Sequence, residues 1–128
     1  MRKSKALKGF AARFDRCFLC GTKKENTWPG LEIHHIVRGA GRKAAREERC
    51  VLIRTCQRCH QERLDGMDVV TQLAIKLITD PEGYARKAVN LLRRRAPEAI
   101  TEDEVREKAL ELEYNQTGEG YLFPRWTW

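Results

Sequence analysis

Four cysteines and three histidines carry most of the chemistry open to this sequence, and all seven lie between residues 17 and 60. Cys17, Cys20, Cys56 and Cys59 follow the spacing C-X2-C-X35-C-X2-C. Two intervening residues let both sulfurs of a knuckle face one ion at ~2.3 Å, so the four thiolates suit tetrahedral zinc. A closed four-thiolate shell leaves no position for substrate, which makes the expected Zn²⁺ structural. In zinc-peptide systems such an ion contributes on the order of 10 kcal/mol of apparent binding energy to folding. Cys50 is left over, in an apolar run, and reads as a small buried residue.

The histidines sit inside and beside this frame. His34 and His35 belong to Glu32-Ile33-His34-His35-Ile36 in the gap, and His60 follows the second knuckle directly. Neighbouring strand residues point to opposite faces, so His34 and His35 cannot do the same job on a regular strand. Imidazole can ligate a divalent ion, and at a typical pKa of ~6.5 it can also accept a proton near neutral pH.

Short elements must position these groups. Leu7, Phe10, Ala11 and Phe14 recur three and four apart, which predicts a basic amphipathic helix within residues 1–16. A polar stretch ending in Trp28-Pro29-Gly30 predicts a loop, with Trp28 covering the zinc module. Leu31 to Val37 reads as one strand, and Cys50 to Ile53 as its hairpin partner across a small, basic loop. Thr55 is placed to cap a helix through His60 that stops at Asp65-Gly66. Beyond it, Val69, Val70, Leu73, Ala74, Leu77 and Ile78 form a helical apolar stripe. Asp80 with Pro81 opens a further helix ending at Arg93-Arg94-Arg95, and Thr101 with Glu104 forms a capping box for a last one reaching about Tyr114. In the aromatic tail, Leu122 and Phe123 need burial, against these later helices or another subunit.

At 128 residues, 41% apolar and 34% charged, the chain has the length of one domain. No apolar run approaches the ~18 residues of a membrane span, and the basic N-terminus lacks the pattern of a signal peptide. A cytoplasmic location is therefore expected, where paired cysteines are metal ligands rather than disulfides. Charge is uneven. Residues 1–64 hold 16 Lys and Arg against 6 Asp and Glu, whereas residues 65–128 hold 9 against 12. The basic half is the half with the ligand pattern, and a positive surface there suits a polyanion such as DNA.

Glu32-Ile33-His34-His35-Ile36 followed by Cys56-Gln57-Arg58-Cys59-His60 resembles the HNH endonucleases of the ββα-metal superfamily. The resemblance covers about residues 14–66, and both motifs occur in the right order. It implies an α+β protein with a zinc-stapled ββα-metal core in residues 1–66 and an α-helical C-terminal extension over residues 67–128, packed as one domain. It further implies that His34 and His60 bind a catalytic divalent ion (Mg²⁺, Mn²⁺, Ni²⁺ or Zn²⁺) and that His35 is the general base in hydrolysis of DNA phosphodiester bonds. Two positions depart from the pattern: Val51 stands where the family usually has Asn, and Leu64 where many members have a further ligand His. The alternative implied by those departures is a catalytically inactive zinc module that binds DNA. Arg38, Arg42, Lys43 and Arg46 in the hairpin loop, with Arg54 and Arg58 beside the second knuckle, are the candidate phosphate contacts. Small free-standing members of this family are often encoded by bacteriophages, and the helical half with the aromatic tail is then a surface for a phage partner or for self-association.

Overall fold

A computed structural model describes residues 5–28, 30–36, 48–84, 100–114 and 122–123. They form a mixed α+β arrangement in which two short strands pair and helices pack around them. Helix α1 spans Lys5–Arg13 and buries Phe10, while Leu7 and Phe14 pack against the same core. Phe10, Phe14 and Phe18 make a three-ring cluster with centroids 5.0–6.1 Å apart, within the range where tilted and edge-on pairs attract.

Strand β1 (Leu31–His35) pairs antiparallel with β2 (Leu52–Cys56), Leu31 opposite Cys56 and His35 opposite Leu52. Both strands differ from the expectation. β1 stops at His35, before Ile36, and residue 37 lies outside the described residues. The second strand begins two residues later than expected because Arg49–Val51 form a 3₁₀ turn, which places Cys50 in that turn, buried. All five residues of β2 are buried, polar Arg54 and Thr55 included, so burial on both faces rather than apolar character marks this strand.

Cys56, not Thr55, caps the helix that follows. Its sulfur accepts the Cys59 backbone N–H, so one side chain is both a candidate metal ligand and a helix cap. Helix α2 (Gln57–Cys59) continues as a π turn over His60–Leu64, closed by Asp65 N–H donating to the His60 carbonyl at 3.1 Å. Gly66, at φ +83°, then turns the chain in the left-handed region that glycine tolerates best.

Helix α3 (Val69–Thr79) packs chiefly on α4 (Glu102–Tyr114). α3 is buried on more than its expected stripe: Gln72, Ile75 and Lys76 are enclosed with Leu73 and Ala74, while Val69, Val70, Leu77 and Ile78 are only partly covered. Thr101 Oγ1 accepts the Glu104 N–H, one arm of the expected capping box. Of the helix expected after Asp80, residues 81–84 form a hydrogen-bonded turn, with the Gly83 and Tyr84 N–H groups donating to Asp80 O, and the remainder, with Arg93 to Arg95, lies outside the described residues. Asp80 itself is buried and accepts from Gly83 N, Lys76 Nζ at 2.7 Å and Arg49 through two bonds, while the Lys76 ammonium sits 4.7 Å from the centre of the Phe10 ring.

Of the tail, residues 122 and 123 are described, and both meet the first half of the chain. Leu122 is buried, Phe123 N–H donates to the Leu19 carbonyl, and Arg63 lies 5.2 Å over the Phe123 ring. One apolar cluster therefore runs from Phe10 through the strands to Val105 and Leu122. No helix among the described residues is long and apolar enough to cross a membrane.

Candidate metal centres

The four-cysteine cluster is assembled by two backbone devices. In the first knuckle, Cys17 N–H donates to Thr22 O and Gly21 N–H to Cys17 O, and Gly21 at φ +75° makes the tight reversal that turns both sulfurs inward. Phe18 N–H donates to Arg54 O at 2.8 Å, which holds that knuckle against β2 and so against Cys56. The four Sγ atoms lie within 4.8 Å of one another, and Cys20 and Cys56 are 3.9 Å apart. Tetrahedral Zn–S bonds of ~2.3 Å place sulfurs about 3.8 Å apart, so the cluster fits an ion such as zinc.

All four sulfurs belong to buried residues. Cys20 is drawn well below the ordinary thiol range, first by hydrogen bonding with Cys17 and then with Cys56 and Cys59, while Cys59 is pushed well above it by Cys17, Cys20 and Cys56. Four thiolates this close repel one another unless a cation stands among them. The Arg63 guanidinium donates to Cys59 Sγ at 3.3 Å, and Thr22 Oγ1 lies 3.1 Å from Cys20 Sγ; both are contacts that offset thiolate charge.

The second group is built on one face of β1. Glu32 and His34 are two residues apart and share that face, toward the π turn carrying His60. His34 Nδ1 and His60 Nε2 are 3.1 Å apart, their rings edge to face at 81°. The partners of the other two nitrogens assign the tautomers. Gln72 Nε2 donates to Met67 O at 2.7 Å, which leaves its Oε1, 2.6 Å from His34 Nε2, to accept an N–H from that imidazole. His60 Nδ1 donates to Glu32 Oε1 at 2.8 Å. Both remaining nitrogens therefore present lone pairs to the same point, an arrangement that calls for a proton or a cation between them.

A divalent ion bonded to each at ~2.0–2.2 Å, at angles from square to tetrahedral, brings two imidazole nitrogens to about 2.8–3.6 Å, a range that includes the spacing seen. Histidine ligands characteristically donate their outer N–H to a carboxylate or carbonyl-type oxygen, and the contacts with Glu32 and Gln72 have that form. His60 and Glu32 line a cleft of about 320 Å³ together with Gln61 and Asp65, while His34 lies behind them, 2% exposed.

The other expected site residues fall differently. His35 ends β1, half-buried, on the strand face opposite Glu32 and His34 and outside that cleft. Arg54 is not a surface contact: it is 6% exposed, and its guanidinium donates to Phe14 O and Leu31 O, two carbonyls that need donors inside the core. Arg58 remains at the surface beside Glu62, 3.1 Å away. Arg38, Arg42, Lys43 and Arg46 lie outside the described residues. Leu64 is fully buried, so a packing role accounts for it. Trp28 does not cover the cysteines; it is 88% exposed.

Two contributors were not assigned by sequence reasoning. Glu32 stood in the motif without a role, and Gln72 was one polar residue on an apolar helix, a signal readable only as an oddity. Comparison with protein-family models, curated proteins and solved structures gives no match, so the HNH resemblance rests on the residues alone.

Proposed function

We propose that the protein is a metal-dependent HNH-type endonuclease that hydrolyses DNA phosphodiester bonds on a zinc-stapled ββα-metal scaffold. The carrying observation is the convergence of His34 Nδ1 and His60 Nε2 at 3.1 Å, with their outer nitrogens held by Gln72 and Glu32, His60 and Glu32 lining an open cleft. Zinc on Cys17, Cys20, Cys56 and Cys59 joins the first knuckle to the start of α2, the element that carries His60. His34 and His60 hold the second ion, and two neutral imidazoles favour Mn²⁺, Ni²⁺ or Zn²⁺ over Mg²⁺ where supply is equal. When bound, that ion supplies positive charge to a scissile phosphate oxygen and to the leaving oxygen. Glu32 and Gln72 keep both rings in the ligating tautomer. His35, next along the strand, takes the proton from the attacking water when the phosphate lies across the end of β1.

Supercoiled plasmid, incubated with protein of measured zinc content across Mg²⁺, Mn²⁺, Ni²⁺ and Zn²⁺, tests this. The wild type should relax or linearise the DNA, His35→Ala should abolish cutting while keeping zinc and thermal stability, and His34→Ala should abolish cutting while keeping zinc. Cutting that survives both substitutions, or no cutting with any ion, overturns it. The position of His35 away from the paired imidazoles favours one rival: a zinc module that binds DNA with a steep salt dependence and does not cut.

A further inference from the structure

Among the described residues, Trp28 at 88% and Leu110 at 67% are the large apolar side chains most open to solvent. Trp28 stands out because it forms one wall of a cleft of about 440 Å³ whose other walls are Thr27, Gln57, Arg58, Gln61 and Glu62. Gln61 also lines the cleft that holds His60 and Glu32, so the two clefts meet at one residue of the π turn. The chemistry of this second cleft is specific. An indole face offers stacking, Gln57 and Gln61 offer amides that both donate and accept, and Arg58 offers a cation at the surface, one of whose partners is the solvent-facing Glu62. A base inside a duplex has no face to present to an indole; an unpaired or flipped base has.

We propose that this cleft is a nucleotide subsite in which an unpaired DNA base stacks on Trp28 with its phosphate toward Arg58, next to the scissile bond. The inference rests on the reading of the chain as a DNA-acting protein and deepens it. The substrate class becomes single-stranded or locally opened DNA, with the strand passing from Trp28 over Gln61 to His60.

Fluorescence anisotropy of labelled oligo(dT) and of a duplex of equal length, without added divalent ions or chelator, reads the subsite with no cutting and with any zinc retained. Trp28→Ala should weaken oligo(dT) binding by about tenfold, the usual loss of one stacked base, and Trp28→Phe should keep most of it. Duplex binding should change less than about twofold in both variants, since a paired base does not stack on the indole. Equal losses on both DNAs, no loss on either, or a change of oligomeric state in sedimentation in place of a binding change overturns the proposal. A wild type that cuts plasmid yet shows no dependence on Trp28 overturns this inference alone. A wild type that neither binds nor cuts DNA overturns the reading beneath it.

Discussion

A glutamine on an apolar helix face must satisfy two hydrogen-bonding ends, and Gln72 does so between Met67 O and His34. Its amide nitrogen is committed to the carbonyl, so its oxygen dictates which nitrogen of His34 carries hydrogen. Glu32 does the same for His60 from the strand side. Gln72→Leu should therefore leave the fold intact and lower the affinity of the imidazole pair for Mn²⁺ by about 10–100-fold, the usual effect of losing such an orienting partner. Isothermal titration with zinc-loaded protein measures this. Unchanged affinity would remove Gln72 from the site and return it to packing.

The start of α3's C-terminal turn carries a different polar cluster, in which Lys76, fully buried, reaches Asp80 at 2.7 Å and Arg49 closes the other side. Burial pushes the Asp80 carboxyl up, but Arg49 and Lys76 outweigh it and hold it below the ordinary carboxylate value. Burial likewise pushes Lys76 down, against the pull of Asp80. Asp80→Ala leaves a buried ammonium uncompensated and should cost about 3–5 kcal/mol in urea unfolding. The sign of the pH effect follows from the lowered carboxyl: its contribution is whole above the unfolded value of ~3.9 and fades as pH falls through the folded one. Wild-type stability should thus drop more steeply on acidification through that window than the stability of Asp80→Asn. Gly83 belongs to the same cluster, for a Cβ there would overlap the Asp80 carboxylate and the Arg49 guanidinium. Gly83→Ala should lower the melting temperature even though its backbone is ordinary.

Both halves of the chain share a single apolar cluster, and the cysteines lie inside it. An ion at those cysteines therefore supports more than the knuckles. Removal of zinc by a strong chelator, or Cys20→Ser, should collapse helical signal in far-UV circular dichroism across the chain, since about 10 kcal/mol of ion binding rivals the stability of a domain this size. Loss confined to a fraction of the helix signal would mean that α3 and α4 stand alone. The tail is a second tie, through Leu122 in the core and Phe123 on Leu19 and Arg63. Leu122→Ala should cost about 2–5 kcal/mol, the usual range for a leucine buried in a core.

Spacing alone was enough to read the four cysteines as one cluster, because a two-residue gap leaves little choice about where paired sulfurs point. Strand alternation separated His34 from His35, and the π-turn helix carrying His60 was placed correctly to within a residue of its cap. What sequence could not supply was anything set by contact across distance. Arg54 looks like a phosphate ligand until its carbonyl partners are known, Trp28 looks like a cover until its exposure is, and Gln72 has no chemistry until His34 arrives from 38 residues away. Local rules act on neighbours in the chain and are written in residue type and interval. Burial, tautomer and the meeting of two clefts at Gln61 depend on which surfaces the folded backbone presses together, and only the packed molecule contains that information.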